Sequence, residues 1–158
     1  MCIRDRIELY KGDAKRIQHF CKVHSYAKLI AETENVDKKC LFIIEAAALT
    51  HDIGIHFCEE KYGNCNGKLQ EQEGPAIAER LLKKLGFDQE VSDRVQYLIA
   101  HHHTYNNINE IDYQILVEAD FLVNIMEDGL SKEAALKAYH NIFKTVCGKT
   151  ICREMFNI

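Results

Sequence analysis

Several polar groups in this chain stand in apolar company. Asp120 follows Leu116 by four residues and precedes Val123 by three, so a helix would set its carboxylate in an apolar stripe. His19 shares a helical face with Val23, Tyr26 and Ile30. His51, with Asp52 beside it, follows Ile44 and Ala47 in the most apolar run of the sequence. A buried carboxylate that loses its partner costs ~3–5 kcal/mol, so Asp120 needs a cation or strong donors. Each residue alone has an ordinary explanation: a hydrogen-bonded core histidine, a helix cap at Asp52, an ion pair at Asp120. Together, two imidazoles and two carboxylates supply four N/O ligands suited to a divalent Mn, Fe, Co, Zn or Mg ion. On an ion that prefers six ligands, four leave positions for water and substrate oxygens.

The elements that must position these groups read as helices. Asp13 can cap a helix over about 14–34, with Ile17, Phe20, Val23, Ala27 and Ile30 at helical spacing. Asp37 opens a second, CLFIIEAAALTHDIG, apolar nearly all round and therefore central, with Gly54 as its stop. Residues 56–70 are polar, with Gly63, Asn64, Asn66 and Gly67, and read as a surface loop. Pro75 then opens a helix that ends at Gly86, and Asp88 caps another reaching about His102. A helix from about Asp112 to Met126 carries ILVEADFLVNI, Ser131 caps the next, and a short segment follows Gly148. The reading is six or seven helices, no strand and one domain. The first six residues, MCIRDR, fit no element and are set aside as a candidate non-native extension of a domain spanning 7–158.

Composition narrows the function classes. The chain has 158 residues, 47% of them apolar and 28% charged, which is ordinary for a globular protein with a real core. A net charge of −4 gives no nucleic-acid footprint. The longest apolar stretch, Cys40 to Leu49, already contains Glu45 and reads as a buried helix rather than a membrane span. Seven cysteines, an odd number with no CxxC pair, argue against a zinc ribbon or redox couple. Cys58 with Cys65 and Cys147 with Cys152 read as structural thiols. No charged and apolar leader is visible, so a reduced, cytoplasmic setting is expected.

RIQHFCKVH, ALTHDIG, LIAHHH and LVEADFLVNI, in that order and at these separations, resemble the HD-domain metal-dependent phosphohydrolases. The resemblance covers about residues 13–128. It implies an all-α, HD-domain-like helical bundle with a central metal site and His19, His51, Asp52 and Asp120 as ligands. His24 is the rival for the first ligand; His19 is preferred because it precedes Val23 by four residues, as the family's first His precedes its apolar stripe. The implied activity is hydrolysis of a phosphate ester, of a nucleotide or related small metabolite. Asp52 would orient the attacking water or take its proton.

Departures from the family pattern bear on the chemistry. Relatives with two metals carry a His four residues before the Gly of a G-A helix start; here that place is Gln70, a poor ligand, which argues against a second tightly held metal. Third after Asp52, where relatives often have Glu or Lys, stands Ile55, so the motif identifies no acid for the leaving group. There is no GYP signature, which argues against a cyclic-dinucleotide phosphodiesterase of that type. In the triplet His101-His102-His103, His102 continues the stripe Val91, Val95, Leu98 and Ile99 and is the choice for a catalytic and phosphate-binding residue. His101, aligned with Glu90, Arg94 and Tyr97, stands behind it, and His103 continues Ile99 and Ala100 less directly toward the pocket. A helix C-terminus that favours positive charge also accounts for the triplet. Lys61 and Lys68 could meet phosphate from the loop, although solvated lysines are the plainer reading. Gln70 and Ile55 motivate an alternative, a metal-stabilised nucleotide-binding or sensing module without turnover. A two-iron oxygenase, a third possibility, is opposed by Gln70.

Overall fold

The computed structural model describes residues 3–158 and, among them, nine α-helices and no strand. They are α1 (Ile3–Leu9), α2 (Ala14–Thr33), α3 (Lys38–Thr50), α4 (Ile55–Tyr62), α5 (Gly67–Lys84), α6 (Gln89–Ile99), α7 (Ile111–Glu127), α8 (Lys132–Asn141) and α9 (Val146–Phe156). The all-α class read from the sequence is what the chain adopts. Asp13, Asp37 and Ser131 cap α2, α3 and α8 through their side chains as expected, whereas Asp88 precedes α6 without a side-chain cap bond.

Helices α2, α3 and α7 pack on one another at the centre, α6 lies on α3, α5 covers α6, and α8 and α9 close the far side of α7. Their shared core includes Val23, Ala27, Ile30, Ile44, Ala47, Leu98, Ile99, Leu116, Leu122 and Val123. The alanines 46–48 put little bulk between α3 and its neighbours, which lets helix axes approach closely. α7 is enclosed along most of its length, so it shares with α3 the central place expected of α3 alone. Lys38–Tyr62 is apolar enough by length and composition to cross a membrane, but a turn at 51–54 breaks it, and Ile43, Ile44, the alanines 46–48 and Ile53 join this core.

Three expectations fail, for identifiable reasons. Residues 56–70 are not one loop. α4 occupies Ile55–Tyr62 and ends at Gly63 (φ 72°), and Asn66 caps α5 by accepting from the Leu69 amide. The Gly and Asn residues that suggested a loop thus serve as the stop and start of consecutive helices. Pro75 lies inside α5 rather than at its start. The N-terminus also differs: residues 3–6 belong to α1, with Arg6 over the Tyr10 ring (3.8 Å) and its Nε donating to the Leu49 carbonyl (2.7 Å). The boundary drawn at residue 7 therefore falls inside a helix; Met1 and Cys2 lie outside the described residues.

Buried polar contacts fix the helices that carry the candidate site. Arg94 grips Asp112 through both oxygens (2.6 and 2.8 Å), tying α6 to the start of α7. The Tyr113 hydroxyl donates to the carbonyls of His101 and Thr104, holding the turn after α6 against α7. The fully buried Glu118 accepts from Gln114 Nε2, the amides of Lys144 and Thr145, and Thr145 Oγ1, joining α7 to the start of α9. A Cβ on Gly148 would stand 2.0 Å from Glu118 Oε2. Gly148→Ala should therefore destabilise the fold by about 1–3 kcal/mol, the usual cost of overpacking. Thermal melting should show a drop of several degrees; an unchanged midpoint would contradict this role for the glycine.

Candidate metal centre

His19 comes from the second turn of α2, His51 and Asp52 from the turn that breaks α3 from α4, and Asp120 from the middle of α7. Their side chains converge. His19 Nε2 lies 3.3 Å from His51 Nε2, 3.4 Å from Asp52 Oδ2 and 3.3 Å from Asp120 Oδ1. His51 Nε2 lies 3.4 Å from Asp52 Oδ2 and 3.6 Å from Asp120 Oδ1. N/O ligands held ~2.0–2.2 Å from one ion stand about 3.0–3.5 Å from each other, the spacing found here.

The outer ring nitrogens decide what faces inward. His51 Nδ1 is 2.9 Å from the Ala48 carbonyl, and His102 Nδ1 is 2.8 Å from that of Ile99. A carbonyl only accepts, so both Nδ1 atoms carry hydrogen, and Nε2, a lone pair whenever the ring is neutral, is the nitrogen turned to the centre. His19 Nδ1 meets Glu127 Oε2 at 2.9 Å, with the same consequence, and Lys22 holds the other Glu127 oxygen at 3.0 Å. Such an acceptor behind a ligating imidazole fixes its tautomer and raises its basicity. Asp120 Oδ1 and His102 Nε2 are buried and make no hydrogen bond of good geometry. Ring Nε2 atoms and carboxylate oxygens thus face one another across one small space, which protons on the imidazoles or a divalent cation can fill.

The electrostatics carry the same demand. Burial disfavours a charged His51, yet Asp52 and Asp120 outweigh it and hold the imidazole up to about 10. His19 is also raised, burial opposing and Asp120 and Asp52 prevailing. Burial would raise both aspartates, but His51 and His102 keep Asp52 well below the usual carboxylate range, and His19 and His51 do so for Asp120. Two buried carboxylates require positive charge, and without a metal it is protons on the imidazoles that provide it.

A second group adjoins the first. Asp52, His102 and His103 each bring a ligand atom within 4.8 Å of the others, and Asp52 Oδ1 lies 3.6 Å from His102 Nε2 while Oδ2 faces His19 and His51. His103 is a correction to the sequence reading. Its ring sits 4.0 Å from that of His102, against Gly67, with Nε2 3.2 Å from Gln70 Oε1. Burial and the neighbouring His102 push it down to about 4. The reason is that α6 ends at Ile99, so residues 100–103 turn and helical spacing no longer predicts their directions.

Other candidates lie elsewhere. His24 bonds to Glu45 (3.1 Å), so His19 and not His24 joins the cluster. The His101 ring stacks on Tyr97, with Nδ1 on the Tyr97 carbonyl, outside both groups. Lys61 pairs with Glu73 of α5, and Lys68 is exposed. Ile55 is the first residue of α4. Sequence reasoning missed Glu127, although it follows Asp120 by seven residues and so shares its helical face. It also missed Glu71, which accepts from the His103 amide and Thr104 Oγ1.

Residues 16–142 match the family model of the HD domain. The chain is also similar to a crystal structure of a predicted HD superfamily hydrolase from an uncultured Thermotogales bacterium. The two are 26% identical, with a TM-score of 0.67 over 98% of this chain and 81% of that one. No curated protein matches. With the family's model covering most of its length, and with His19, the His51-Asp52 pair and Asp120 meeting at one point, the chain belongs to the HD-domain family.

Proposed function

We propose that the protein is a metal-dependent hydrolase acting on a small phosphate ester, of a nucleotide or related metabolite, with His19, His51, Asp52 and Asp120 holding one divalent ion. The observation that carries this is the convergence of imidazole Nε2 atoms and carboxylate oxygens at the spacing of ligands around one ion. Bound there, the ion supplies Lewis acidity toward a phosphoryl oxygen and lowers the pKa of a water. The protein's own groups do the rest. Asp52 has the most exposed side chain of the four (18%) and is the carboxylate best placed to orient a water or take its proton at Oδ1. His102 Nε2, 3.6 Å away and otherwise unpartnered, can receive that proton or, once protonated, offset phosphate charge. Glu127 keeps the His19 ring in place.

A second reading is a metal-stabilised nucleotide-binding module without turnover. It is favoured by the placement of His101 on Tyr97 and Lys61 on Glu73, which leaves His102 alone among the three expected phosphate partners beside the cluster. A screen of phosphate esters with added Mn, Fe, Co, Zn or Mg separates the two.

Asp120→Ala removes a ligand and half of the balancing carboxylate charge. It should weaken metal affinity by more than the about 10–100-fold that loss of an outer partner costs, and abolish hydrolysis of any ester found active, while circular dichroism stays helical. Full metal content and full turnover in the variant would overturn the site.

Protons and metal compete for the same nitrogens. With His51 held up to about 10, metal entering at pH 7 must displace a proton from its Nε2, and affinity should climb with pH toward that value. Calorimetry in buffers of different ionisation enthalpy should find at least about one proton released per ion; none released would contradict the shared site. The raised imidazole also stabilises the metal-free fold fully below its unfolded value of about 6.5 and loses that contribution as pH rises through about 10.

A further inference from the structure

The turn carrying His51 and Asp52 is held on two sides. On one, Gly54 lies on the backbone of α5, where an added Cβ would stand 3.1 Å from the Gly74 nitrogen. On the other is Tyr10, between α1 and α2 and only 2% exposed. Its hydroxyl lies 3.0 Å from the Asp52 carbonyl oxygen and 3.2 Å from that of Ile53, sharing one proton between them. The ring is itself fixed, stacked on His56 with centroids 4.2 Å apart and edge-on to Phe20. His56 in turn bonds to Asp13, the cap of α2. Burial pushes the phenol pKa up, so the hydroxyl remains a donor at neutral pH.

An aspartate reaches its carboxylate through two side-chain torsions, so a tilt of its own peptide moves both oxygens. At Asp52 those oxygens face different imidazoles, Oδ2 toward His19 and His51 and Oδ1 toward His102. Tyr10 touches none of these atoms and precedes the residues matched to the HD domain, 16–142.

We propose that Tyr10 is a positioning residue for the metal centre: by holding the Asp52 and Ile53 carbonyls it aims the Asp52 carboxylate and so sets the affinity for a divalent ion. This rests on Asp52 being a ligand, as argued under Proposed function. Tyr10→Phe removes one oxygen and keeps the ring that stacks on His56. Co²⁺ alone is the probe, since its visible absorption reports ligand number and geometry. The variant, shown folded by circular dichroism at the working temperature, should bind Co²⁺ about 10–100-fold more weakly than wild type, with an altered absorption band. Tyr62→Phe, which removes a hydroxyl bonded to Glu73 at the end of α4, should change neither. A Tyr10→Phe protein with a lowered melting temperature but wild-type Co²⁺ affinity and spectrum overturns the proposal and leaves the ligand set standing. A wild-type protein that takes up no Co²⁺ overturns both.

Discussion

Everything at the centre of this fold follows from electron pairs facing one another in a dry interior. His51, His102 and Asp120 are almost wholly buried; His102 Nε2 and Asp120 Oδ1 have no hydrogen-bond partner, and His51 Nε2 faces only the His19 ring nitrogen and the two carboxylates. A low-dielectric surrounding strengthens repulsion between like partial charges as much as it strengthens attraction. The arrangement is stable only with positive charge at its middle, whether that charge is a set of protons or one divalent ion. The upward displacement of His51 and the depression of Asp52 and Asp120 are two expressions of that single requirement.

The helices are arranged so that these atoms cannot move apart. α2, α3 and α7 meet along apolar faces, which sets the distance between His19, His51 and Asp120. Behind each ring stands a fixed acceptor: Glu127 for His19, the Ala48 carbonyl for His51, the Ile99 carbonyl for His102. The bidentate Arg94–Asp112 pair and the Tyr113 hydroxyl then hold the histidine turn to α7. Rigidity of this kind lets four modest ligands act as one site rather than four separate side chains.

The sequence was legible wherever burial and helical spacing coincide. Asp120 and His19 stood out because a charged or polar group in an apolar stripe needs a reason, and their helices run unbroken through the positions concerned. His103 lies beyond the reach of helical spacing because the chain leaves α6 four residues earlier, where an angular argument has no basis. Glu127 is illegible in the sequence because a carboxylate near a helix end looks solvated, and only the packing of α2 against α7 brings it to His19. The polar run 56–70 hid two helix ends, because Gly and Asn serve equally in loops and in the caps that separate consecutive helices.

The most direct measurement is X-ray diffraction from crystals grown with excess Mn²⁺, collected at a wavelength where manganese scatters anomalously. The expected result is one strong anomalous peak enclosed by His19 Nε2, His51 Nε2, Asp52 and Asp120. A map with no peak among these atoms, or with manganese bound only elsewhere on the molecule, would contradict the central claim that their convergence exists to hold a divalent cation.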